Sequence, residues 1–243
     1  MLNTERFYQE KNRTQLFGGS INTMFDLSSL RHDPDCTFFL IDNSGSMVKH
    51  TQKVIDAYEA SIDNLRRRPS TKMGCHFITT ALFAEDLAVI QEFEKLNPVK
   101  GRDKLIPLVE GLPPEGNFYP KGRTALYDCL YEVLESMLQV VNLTADQGFI
   151  PRLNIVLFTN GKDNCSVRER EALKEVIERL SLEEFLMVSL VVGILDDDFT
   201  ADDLKTLRQD IAFRHAISVD RNSEDFARYF RGTWISIYDD LIR

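Results

Sequence analysis

Cysteine is scarce in this chain of 243 residues: Cys36, Cys75, Cys129 and Cys165 lie far apart and form no CxxC pair. Such spacing argues against a disulfide framework and a thiolate metal site, and points to reduced thiols buried in apolar segments. Long apolar runs are missing too. A membrane-spanning helix needs roughly 20 apolar residues, and the longest run here, Phe185 to Leu195, has the length of a strand. Met1 to Gln15 carries Glu5, Arg6, Glu10, Lys11 and Arg13 with no apolar stretch, so no export signal is expected and the cytoplasm is the expected setting. Basic residues are outnumbered, 29 against 38 acidic, for a net charge of −9; this argues against direct nucleic-acid binding, which needs a basic face. The four histidines, His32, His50, His76 and His215, show no metal-ligand spacing. What remains is ordinary: 43% hydrophobic and 28% charged residues predict a folded core that needs no covalent or metal staple.

Along the chain, residues 1–35 are polar and irregular and read as an N-terminal arm, leaving 36–243 as the domain. Cys36 to Ile41 is a continuous apolar run ending at Asp42, the pattern of a strand buried on both faces. Val54, Tyr58, Ser61, Ile62 and Leu65 share one helical face, which Arg66-Arg67-Arg68-Pro69 ends. His76 to Phe83 and Leu87 to Phe93 form an expected hairpin at a sheet edge. Residues 97–123 hold five of the eight prolines and four of the twelve glycines, a loop long enough to suggest function. A helix through Leu126, Leu130, Val133, Met137 and Val141, then a strand Leu153–Phe158, restart an alternation. It continues with helix 167–180, strand 185–195, helix 201–211 capped by Thr200 and Asp203, strand 214–219, and a last helix from Ser223 with Trp234 in its apolar stripe. The predicted fold is therefore α/β, a doubly wound, mainly parallel sheet with one antiparallel edge strand and helices on both faces.

Open sheets of this kind bind ligands beyond the carboxyl ends of the strands, where strand order reverses. Three such ends are rich in oxygen ligands. Asp42-Asn43-Ser44-Gly45-Ser46 offers a carboxylate and two hydroxyls at alternate positions, suited to a hard cation such as Mg²⁺. Thr124 stands at the mouth of a helix, and Thr159-Asn160-Gly161 follows the second buried strand. Each segment alone also reads as a simple turn. Thr159 and Asp163 read as outer supports or plain loop residues, Asp128 as a first-turn charge on its helix, and Asp196-Asp197-Asp198 as charges in water at a helix start. Arg66-Arg67-Arg68 reads as a solvated helix cap. Phe118 and Tyr119, in the proline-rich loop beside the expected site, read as exposed anchors for a partner.

These residues resemble the metal ion-dependent adhesion site of von Willebrand factor type A domains, Asp-x-Ser-x-Ser followed by a Thr and then an Asp, and the resemblance runs from about Cys36 to the C-terminus. It implies that Asp42, Ser44, Ser46 and Thr124 are metal ligands, with Asn160 standing where the family has its Asp. Ser44-Gly45-Ser46-Met47 and Gly122-Arg123-Thr124-Ala125-Leu126-Tyr127 are similar to the soluble bacterial branch. The resemblance implies Mg²⁺, or Mn²⁺ or Ca²⁺, with an open position completed by an acidic residue of another protein. It also implies an adaptor that works beside ATP-driven machines or in stress and phage-defence sets. A metal-free site whose surface alone binds is the bland counterpart.

Catalysis is the competing class: a Mg²⁺-dependent phosphatase or phosphotransferase with Asp42 as nucleophile, although Ser44 occupies the place where a second carboxylate would stand. A serine hydrolase built on Ser44 lacks the Gly-x-Ser-x-Gly elbow, and no phosphate-binding Gly-rich loop is present. The reading is therefore a binding module without catalytic residues, with neither nucleic acid nor membrane as partner.

Overall fold

The computed structural model describes residues 30–112, 115–161, 163–182 and 184–219. The expected last helix from Ser223, with Trp234, and most of the expected arm 1–35 lie outside these. Strand β1 (Asp35–Asp42) places Phe38 and Leu40 in one apolar cluster and Phe39 and Ile41 in the other, each at most 1% exposed. A strand without a polar face must lie in the middle of a covered sheet. It pairs in parallel with β2 (His76–Phe83) on one side and β4 (Arg152–Thr159) on the other.

Beyond β2 runs β3 (Leu87–Lys95), antiparallel at the edge as the hairpin pattern predicts; beyond β4 come β5 (Leu186–Ile194) and β6 (His215–Val219), both parallel. The order is β3-β2-β1-β4-β5-β6. From β1 the chain builds outward one way and then, from β4, the other, so the reversal point lies between the ends of β1 and β4.

Helices α3 (Leu126–Ala145), α4 (Arg170–Leu182) and α5 (Ala201–Asp210) share the cluster of Phe38 and Leu40. On the other face lies α1 (Thr51–Leu65), whose Tyr58 ring meets Phe39 edge-on at 5.1 Å. Pro69 opens the short α2 (Pro69–Lys72), where its missing N–H is harmless. Thr200 and Asp203 make the expected reciprocal cap of α5. Among the described residues no helix is long and apolar enough to cross a membrane. Cys36, Cys75 and Cys129 are buried free thiols and Cys165 a partly buried one.

Two sequence expectations change here. Helix α4 begins at Arg170 rather than at 167, because the N–H groups of Val167 and Arg168 are taken by the Asp128 carboxylate and held in the loop. Arg66 is no solvated cap: it is buried, donates to the carbonyl of Asn97 at 2.7 Å and ion-pairs with buried Asp103, fastening the start of the long loop to α1. Asp128 does lie in the first turn of α3 as expected.

Candidate metal centre

The carboxyl ends of β1 and β4 and the loop before α3 meet at one place. Asp42 is fully buried; its Oδ1 accepts the Ser44 N–H at 2.9 Å and its Oδ2 accepts the Thr159 hydroxyl at 2.6 Å, so Thr159 is an outer support. The Ser44 and Ser46 hydroxyls lie 3.1 Å apart, and Ser46 donates to Asn160 Oδ1 at 2.9 Å. Asn160 also donates from Nδ2 to the Ser46 carbonyl at 3.1 Å. Thr124 is buried, and its segment is held on both sides. Its N–H donates to the Asn164 side chain, its carbonyl accepts from the Asn164 N–H, and the next residue donates to Ala84. The turn into it needs Gly122, whose φ of +77° disfavours a side chain and whose carbonyl accepts the Gly45 N–H at 3.1 Å.

Gly161 locates the space these groups share. A Cβ built on it would lie 3.7 Å from Asp42 Oδ2 and 3.8 Å from both Ser46 Oγ and Thr124 Oγ1. One carboxylate oxygen and two hydroxyls thus surround a single small volume that a larger side chain at 161 would fill. Among the described residues no three His, Cys, Asp or Glu side chains form a metal-holding group; the donor set is carried largely by hydroxyls, which suit a hard divalent cation of the Mg²⁺ or Mn²⁺ kind. Burial pushes the Asp42 carboxyl up from its ordinary range, against hydrogen bonds from Ser44 and Thr159 that pull it down. Among the described residues no cation pairs with it, so a cation at this place would relieve a buried negative charge.

The structure therefore brings Asp42, Ser44, Ser46, Thr124 and Asn160 together. It does not bear out Phe118 as an exposed anchor: that ring is fully buried in the α1-side cluster, because the long loop folds back through a bridge between Glu110 and Phe118. Tyr119 is 46% exposed. Asp163 accepts from Ser166 within its own loop.

Asp196, expected from its sequence to stand in water, belongs instead to the wall of this site. The Asp196 side chain is 1% exposed and receives Lys49 Nζ at 2.8 Å, His50 Nε2 at 3.0 Å and Asn160 Nδ2 at 3.4 Å. Burial opposes its ionisation, yet hydrogen bonds from Lys49, His50 and the N–H groups of Asp198 and Phe199 outweigh this and hold the carboxyl well below its usual range. The available signal was position: Asp196 is the first polar residue after the apolar run of β5, the fourth strand end on this rim.

At the level of sequence, no protein-family model and no curated protein matches the chain. Solved structures do match. A von Willebrand factor type A protein from Catenulispora acidiphila is 16% identical, with a TM-score of 0.51 over 85% of this chain and 43% of that one. The manganese-loaded TRAP protein of Plasmodium vivax is 14% identical, with a TM-score of 0.51 over 86% of this chain and 74% of that one. Proximal thread matrix protein 1 of the mussel byssus, with zinc in its metal ion-dependent adhesion site, is 13% identical, with a TM-score of 0.52 over 87% and 48%. This chain thus spans less than half the length of the first and third. Strand order, the antiparallel edge and these superpositions agree: the chain has the von Willebrand factor type A fold.

Proposed function

We propose that this chain is a metal-dependent protein–protein interaction module, in which Asp42, Ser44, Ser46, Thr124 and Asn160 hold a divalent cation, Mg²⁺ or Mn²⁺. The observation that carries the reading is the common space beside Gly161, faced by Asp42 Oδ2, Ser46 Oγ and Thr124 Oγ1 at matched distances. When bound, the cation supplies an electrophilic position that the carboxylate of another protein completes. Asp42 brings the negative charge, Thr159 fixes its orientation, and Asn160 holds the Ser46 hydroxyl in place. Structural neighbours bearing manganese or zinc support a divalent metal on this fold.

Binding is favoured over phosphoryl transfer, because Asp42 is fully buried with a hydrogen bond on each oxygen; this suits a fixed ligand better than an attacking nucleophile. An adaptor role beside an ATPase or in a defence complex belongs to the same reading and rests on the resemblance; a cytoplasmic setting and residues 1–35 as an arm rest on the polar composition of the N-terminal residues.

Electron paramagnetic resonance of Mn²⁺ tests it. The free-ion signal should fall with one site per chain, return on adding Mg²⁺, and fall further when acetate or a short Glu-containing peptide completes the position. No loss of signal, or equal loss with Asp42→Ala, overturns the proposal.

A further inference from the structure

Asn160 sits between two groups with opposite needs. Toward the site, its Oδ1 accepts the Ser46 hydroxyl at 2.9 Å. Away from it, Nδ2 faces the Ser46 carbonyl at 3.1 Å and Asp196 Oδ2 at 3.4 Å, both acceptors. Those two acceptors fix which end of the amide carries nitrogen. Asp196 in turn is fixed from every side, by Lys49 and His50 on Oδ2 and by the N–H groups of Asp198 and Phe199 on Oδ1. With Asn160 3% exposed and the Asp196 side chain 1% exposed, neither has room to turn away. A carboxylate at position 160 would bring two buried negative oxygens together where one N–H···O contact now stands.

We propose that Asn160 and Asp196 are a matched amide–carboxylate pair. Asp196, seated on Lys49 and His50, is the positioning residue that aims the Asn160 oxygen at the metal-side hydroxyl of Ser46, and its presence is why position 160 carries an amide. The negative charge of this part of the rim is thereby placed one residue back from the cation space and compensated by Lys49. The part of the inference that concerns metal rests on the reading proposed above; the pairing itself does not.

The test is a double-mutant cycle with Asn160→Ala, Asp196→Ala and both together, beside Asn160→Asp alone, read as the melting temperature in EDTA and as the Mn²⁺ dissociation constant. Asn160→Asp places an acceptor against both the Ser46 carbonyl and Asp196, and should melt several degrees lower than the parent in EDTA, about 4 °C or more. Asp196→Ala should weaken Mn²⁺ binding about tenfold or more when Asn160 is present and less than about threefold in the Asn160→Ala background, because Asp196 acts through the amide; a merely space-filling role gives the same loss in both. If Asn160→Asp fails to fold while Asn160→Ala folds, the pairing stands. It is overturned if Asn160→Asp melts as the parent in EDTA, or if the two alanine changes are additive in EDTA and in Mn²⁺ affinity. Coupling in EDTA with no Mn²⁺ response in the parent would instead overturn the metal reading and leave the pairing in place.

Discussion

A buried carboxylate with no cation beside it strains a fold, and among the described residues Asp42 has none. Its folded pKa lies above the unfolded one, so its contribution to stability is lost as pH rises from the ordinary Asp range through the raised value. Replacing Asp42 by Asn should therefore raise the melting temperature of the metal-free protein at neutral pH while abolishing any response to metal; a fall in Tm in EDTA would contradict this. Phe118 behaves oppositely. As a fully buried ring, its change to Ala should lower stability by about 3–5 kcal/mol in denaturant titration without specifically weakening partner binding. The candidate ligand residues were legible because turn chemistry, apolar strands and a known motif coincide at Asp42, Ser44 and Ser46. Asp196 and Phe118 were misplaced because burial of a single side chain depends on what the folded chain lays over it, which no local pattern records.

The elements around the site are tied by side chains that reach across the sequence. Strand and helix order were readable from periodicity, down to the edge hairpin and the Thr200 cap, since those depend on nearest neighbours. The start of α4 was not, because Asp128, about 40 residues away in the chain, captures two of the N–H groups concerned. Arg66 was mistaken for the same reason: its partner Asp103 lies on a loop with no regular structure. Removing one member of such a buried pair strands the other. Asp103→Ala should destabilise by about 3 kcal/mol and make residues 97–112 a preferred site of limited proteolysis. Cleavage at the parental rate would show that the pair does not fasten the loop.

At the scale of the whole molecule, three histidines are held neutral. Burial pushes His50, His76 and His215 below their ordinary range; at His76 the nearby Asp35 opposes this, and Arg68 and Arg152 reinforce it. For a histidine lowered in this way, the stability is full above the unfolded pKa of about 6.5 and drains away below it, as the unfolded chain takes up protons first. In an Asp42→Asn, Glu92→Gln background, which removes the opposite slopes of the two carboxyls that burial raises, the urea midpoint should fall as the pH drops below about 6.5; a flat or rising profile would contradict the assignment.

Under the proposed function, the net charge of −9 would give the candidate site its selectivity. An acidic partner would be repelled by the bulk surface and accepted where a bound cation reverses the sign. The most direct measurement is therefore the melting temperature of the chain against Mn²⁺ or Mg²⁺ concentration, beside that of Asp42→Asn. A saturable, EDTA-reversible rise of about 5 °C or more at a hundredfold excess over Kd, absent from the variant, is the predicted result. No rise at millimolar metal, or the same rise in the variant, would contradict the account.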